Sequence, residues 1–108
     1  MPTNYLTLGQ VAPIAATLTS LYTVPAATQA VASSIIIANR STYTNLRIAV
    51  RPAGAAIANQ HYIAYDVGLA TNDTLIMTIG LTLAATDVVS VYAGHANTSF
   101  SLMGSEIT

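Results

Sequence analysis

Few residues in this 108-residue chain can do chemistry: two histidines (His61, His95), four carboxylates (Asp66, Asp73, Asp87, Glu106) and three arginines, with no lysine and no cysteine. A Ser-His-Asp relay can be drawn from many of the serines, but no glycine-framed nucleophile elbow presents one. His61 starts an apparent strand on the face shared with Ile63 and Val67 and reads as structural rather than as a general base, while His95 in AGHANTS reads as a hairpin tip. Two histidines and four scattered carboxylates match no spaced zinc or calcium loop. Asp73 and Asp87 each precede a strand, where a side-chain oxygen ordinarily caps nearby backbone N–H groups. Three arginines at a pI near 6.0 make no broad phosphate-tracking patch. The sequence therefore predicts no enzyme, no cofactor or metal, and no nucleic-acid partner.

One concentrated feature remains. LRIAVRPAG (46–54) holds two of the three arginines, and alternation puts Leu46, Ile48 and Val50 on one face with Arg47, Ala49 and Arg51 on the other. HYIAYDV (61–67) follows after a loop over 52–60. If the two segments pair antiparallel with core faces aligned, partner numbers must sum to an odd value. A sum of 113 sets Arg47 opposite Asp66, Ala49 opposite Ala64, and Arg51 opposite Tyr62. That predicts an ion pair and a cation–π contact on one sheet face, with guanidinium donors left over for a neighbouring subunit.

The elements that would position these side chains are strands. Leu75, Met77, Ile79, Leu81 and Leu83 share a face, with Thr74, Thr78 and Thr82 opposite; this run reads as the central core strand, bending at Gly80. TLTSLYTV (17–24), AVASSIIIAN (30–39), VVSVYA (88–93) and TSFSLM (98–103) also read as strands, separated by turn signals at Pro25–Thr28, Asn39–Ser41, Pro52–Gly54, 68–73 and 84–87. The count of seven to eight short strands predicts an all-β antiparallel sandwich or jelly-roll-like domain over 17–108. The first sixteen residues, with Pro2, Pro13 and no clean period, read as an N-terminal arm. Its apolar Tyr5, Leu6, Leu8 and Val11 join Arg47, Arg51 and Tyr62 as candidate interface residues. Three Asn-x-Ser/Thr triplets, at Asn39, Asn72 and Asn97, read as chance in so Ser/Thr-rich a chain.

Composition bears on partners. Only 6% of residues are charged, against about 25% in ordinary domains. The chain is 53% hydrophobic with a mean hydropathy of +0.56. Yet no apolar run approaches the roughly 18 to 20 residues that span a bilayer, and MPTNYLTLGQ lacks the basic and apolar regions of a signal peptide. This reads as a soluble protein made without secretion and without a membrane partner. A folded chain of this mass exposes roughly 5,700 Å², so each charged side chain serves about 800 Å², one partner's share of a standard interface. Such a surface suits close subunit packing.

LYTVPAATQAVASSIIIANRS (21–41), LRIAVRPAG (46–54), YDVGLATNDTLIMTIGLTLAATDVVSVYAGHAN (65–97) and the closing GSEIT (104–108) together carry a resemblance over most of the chain. It is similar to small β-sandwich structural proteins of tailed bacteriophages, which serve as capsid decoration (cement) proteins or as tail-associated virion proteins. One departure is Ala27, where that pattern has glycine after Pro-Ala. The resemblance implies a non-enzymatic virion role. On it, the expected function is a decoration protein on the outer surface of the assembled head, present in the host cytoplasm during assembly. Its partners would be the major capsid protein and copies of itself, as a trimer at threefold or quasi-threefold positions. The alternative is a tail, baseplate or fibre component touching a host glycan through Ala93–Ser99, with tyrosine as the only aromatic platform in quantity.

Overall fold

The computed structural model describes residues 3–108 and is built of β1 (Thr3–Val11), β2 (Thr19–Thr23), β3 (Gln29–Asn39), β4 (Thr44–Arg51), β5 (Tyr62–Leu69), β6 (Thr74–Leu83), β7 (Val88–Ala93) and β8 (Thr98–Ile107). Alternating β-branched and Ser/Thr residues dictate these strands, because each then offers one apolar face to a partner layer. Two short 3-10 turns, Pro52–Gly54 and Asn59–His61, occupy the loop between β4 and β5.

The pairing is nested. β4 pairs with β5, β3 with β6, β2 with β7 and β1 with β8, all antiparallel. Partner numbers sum to 110 at Thr3–Ile107 and to 113 at Thr44–Leu69, so the chain is one long ribbon doubled back near residues 52–61. Rolling that ribbon adds the β3–β8 and β4–β7 ladders and leaves two four-stranded sheets, ordered β1-β8-β3-β6 and β2-β7-β4-β5. This is the jelly-roll arrangement, and the eight-stranded antiparallel sandwich matches the fold expected from the sequence. Phe100, Ile35, Ile37, Leu46, Ile48, Leu83 and Leu102 fill the space between the sheets and are fully buried.

Three expectations are corrected. Residues 3–11 are not an arm: Thr3–Val11 ladders onto β8 as an edge strand, and Leu8 and Val11 pack against the core. A register slip between Thr7 and Gly9 breaks the alternation that would have marked a strand. Met1 and Pro2 lie outside the described residues. The face predicted for Leu75 to Leu83 is the inward one, but β6 is an edge strand and only Leu83 is buried. Its register does slip where Ile79 and Gly80 stand opposite Ser33. Finally, His61 and Ile63 do not share a core face with Val67. Asp66 takes φ 53°, a bulge that turns Ala64, Val67 and Leu69 inward and leaves Ile63 exposed. His61 instead closes a 3-10 turn, its Nδ1 accepting the Ala58 N–H at 3.1 Å.

Asp73 and Asp87 do cap backbone. Asp73 Oδ1 accepts Thr74 N–H at 2.8 Å, and Asp87 accepts Ala53 and Ala84 N–H, both at 2.9 Å. Asn39 is buried, its amide nitrogen donating to the carbonyls of Thr42, Leu69 and Ala70, so its triplet presents no accessible amide for glycosylation. Ala27, where the resemblance pattern has glycine, sits at φ 55°. A Cβ costs about 1–2 kcal/mol in that region, while glycine loses about 0.4–1 kcal/mol through the unfolded chain. Ala27→Gly should therefore raise stability by up to about 1.6 kcal/mol, read as a Tm several degrees higher. A lower Tm would show that the β2–β3 turn adjusts without strain.

Candidate functional site

Charge is segregated between the two outer faces. The strands of the β1-β8-β3-β6 sheet contain a single carboxylate and no basic side chain; that carboxylate, of Glu106, is held by the hydroxyl of Tyr22 from the opposite sheet at 2.5 Å. Burial, then the hydrogen bond and charge of Glu106, push the Tyr22 phenol well above the ordinary tyrosine range. That sheet's outer face is consequently a field of Ser and Thr interspersed with Tyr5, Val31, Ile36, Ile76 and Met103. Tyr5 is 86% and Ile76 64% exposed.

The outer face of β2-β7-β4-β5 carries Arg47, Arg51 and Asp66. Arg47 Nε donates to Asp66 Oδ1 at 2.7 Å, so the predicted ion pair is present. That hydrogen bond raises the guanidinium pKa above its ordinary value. The 113 register runs from Thr44 to Leu46, after which the Asp66 bulge shifts it, pairing Ile48 with Ala64 and Ala49 with Tyr62. The expected Arg51–Tyr62 contact is thereby overturned. Arg51 instead lies along its own sheet, bonding Ser90 Oγ at 3.2 Å, Ser20 Oγ at 3.5 Å, and the carbonyls of Gly54 and Ala55. Tyr62 meets Tyr65 edge to face at 4.9 Å.

The cation–π partner belongs to the other arginine. Arg47 Cζ lies 4.2 Å from the Tyr65 ring centre and 4.4 Å from that of Tyr92. Tyr92 faces Arg47 directly across the β4–β7 ladder, and Tyr65 is brought there by the bulge. Sequence parity missed both, because it fixed neither which strand lies beside β4 nor the slip at Asp66. Among the interface candidates, then, Arg47, Arg51 and Tyr62 share one outer face. Tyr5 stands on the opposite one, while Leu6 is partly exposed and Leu8 and Val11 turn inward.

Beside Arg47 is an open cleft of about 470 Å³, walled by Tyr43, Asn45, Asp66, Tyr92, Gly94 and His95. His95 is fixed there, Nε2 donating to the Thr42 carbonyl at 2.8 Å and Nδ1 accepting the Asn97 N–H.

No protein-family model matches the chain, and no curated protein matches it. Among solved structures it is similar to a chain of the T13 viral particle of infectious bursal disease virus, at 13% identity and a TM-score of 0.57. It is also similar to a chain of the Gx strain of that virus, at 14% identity and a TM-score of 0.53. Each alignment covers 97% of this chain but only 30% and 32% of the viral chains. The likeness is one of fold. This chain spans about a third of the length of the chains it resembles, and at such identity the fold alone is what is shared.

Proposed function

We propose that this chain is a non-catalytic structural component of a virus particle, acting as a decoration protein on the outer surface of an assembled phage head. The observation that carries this reading is the uncharged outer face of the β1-β8-β3-β6 sheet. Four strands of about ten residues present roughly 600 Å², close to the roughly 800 Å² that one partner gives a standard interface. A face with no charge to desolvate suits permanent contact, either with the major capsid protein or with further copies of the chain in a trimer. Binding the assembled shell in preference to dissociated subunits stabilises the shell by linkage. The fold likeness to chains of icosahedral virus particles supports a virion role. With β1 built into the sheet, the contact is assigned to this face, with Tyr5 at its margin, rather than to an extended arm.

The test is co-sedimentation with purified heads that lack the protein. Tyr5→Glu and Ile76→Glu place a charge at opposite edges of the face, at exposed positions where folding should be unaffected. Both variants should melt like wild type and lose head binding. Undiminished binding by both would reject this face as the contact. Wild-type chain sedimenting with tails and not with heads would put the tail, baseplate or fibre reading in its place.

A further inference from the structure

We propose that the cleft between the β4–β5 ladder and the β7–β8 hairpin binds a neutral saccharide. Arg47 is unusually constrained for a partly exposed arginine: its guanidinium is stacked against Tyr65 and Tyr92, and its Nε is held by Asp66 Oδ1. No hydrogen bond from Nη1 or Nη2 is present among the described residues, and Asp66 Oδ2 likewise accepts none. The cleft thus offers rigid N–H donors immediately beside a carboxylate acceptor. Asn45, exposed on the same face and opposite Gly68, adds an amide that donates and accepts.

An aromatic platform completes the set. Tyr43 is 61% exposed, yet its ring is seated. A Cβ at Gly68 would collide with the Tyr43 hydroxyl and ring carbons, so the missing side chain is what lets the ring lie on β5. The hydroxyl end of the ring is thereby held against β5 while most of the residue stays open to solvent.

The chemistry selects the ligand class. Arg47 and Asp66 cancel, so the cleft has no net charge to attract a phosphate or a free carboxylate. Adjacent donors and acceptors match the vicinal hydroxyls of a sugar, each of which donates and accepts, and an aromatic face takes the C–H side of the ring. The volume of about 470 Å³ falls within the range of about 300–1,000 Å³ usual for small-molecule sites. This inference is independent of where on a particle the domain stands.

The experiment is a saturation-transfer and amide-shift NMR titration of the full chain. The probes are the methyl glycosides of glucose, galactose, mannose and rhamnose at tens of millimolar, with inorganic phosphate and acetate as charged controls. At least one neutral glycoside should shift the amides of Asn45, Arg47, Asp66 and Gly94 selectively. Tyr43→Ala, at an exposed position, should weaken that binding roughly tenfold or more. Asp66→Asn should do the same while keeping the bulge, since asparagine tolerates the left-handed backbone; its unchanged amide spectrum outside the cleft would verify the fold. Absence of shifts with all four glycosides would overturn the proposal. So would larger shifts at these residues from phosphate or acetate, or binding indifferent to Tyr43→Ala and Asp66→Asn.

Discussion

Replacing Phe100 by alanine should remove about 3–5 kcal/mol of stability, a large share of the roughly 5–15 kcal/mol available to a domain. Phe100 is the only phenylalanine, is fully buried, and sits on β8 with Val11 of β1 on one side and Ile37 of β3 on the other. Both neighbours are held in ladders, so the walls of the vacated space have little freedom to close. The cost then approaches the full transfer-plus-cavity value. Thermal unfolding should shift down by at least about 12 °C, taking about 4 °C per kcal/mol. Met77→Ala and Leu81→Ala should cost less than Phe100→Ala, because those side chains lie half-buried on an edge strand. A Phe100→Ala melt within a few degrees of wild type would mean that the space between the sheets collapses freely.

Gly104→Ala should be the most damaging single added methyl, costing about 3 kcal/mol, at the upper end of overpacking effects. A Cβ at Gly104 meets the Val31 carbonyl and the Ala32 Cα. Both are backbone atoms of β3, at the place where its register slips between Ala32 and Ser34. No side-chain rotation relieves that clash; the β3–β8 ladder itself must separate. Two residues on, displacement would withdraw Glu106 from the Tyr22 hydroxyl, exposing a buried donor to a further penalty of about 1–3 kcal/mol. Gly80→Ala is the internal control, since nothing lies within 4 Å of an added Cβ there. Chemical denaturation midpoints should fall sharply for Gly104→Ala and barely for Gly80→Ala. Equal midpoints would refute the claim that β8 must approach β3 this closely.

Regular alternation made most of this fold legible. β3, β6 and β7 lie where their apolar periods put them, and the Arg47–Asp66 pair follows from parity within one hairpin. What escaped was everything that depends on breaking the period. The slip after Thr7 disguised β1 as an arm, and the left-handed Asp66 moved Tyr65, rather than Tyr62, next to an arginine. Strand order was equally hidden. A strand that alternates cleanly looks the same at an edge as at the centre, which is why β6 read as central. Tyr92 reached Arg47 through the β4–β7 ladder, a pairing between segments far apart in sequence that no local pattern announces.

The nested ribbon also sets the order in which the chain can be assembled. Thr3 and Ile107, 104 positions apart, are ladder partners, and closing so long a loop in one step is entropically expensive. If pairing instead advances outward from the β4–β5 turn, β2 and β7 are already joined when β1 meets β8. Only the connectors 12–18 and 94–97, eleven residues together, are then left to close. The closure entropy scales with the logarithm of loop length, so the sequential route lowers that last step by about 2 kcal/mol relative to direct encounter. The doubled-back register thus turns a topology of distant contacts into a series of short closures, with β1 as the strand that docks last and, on the reverse path, detaches first.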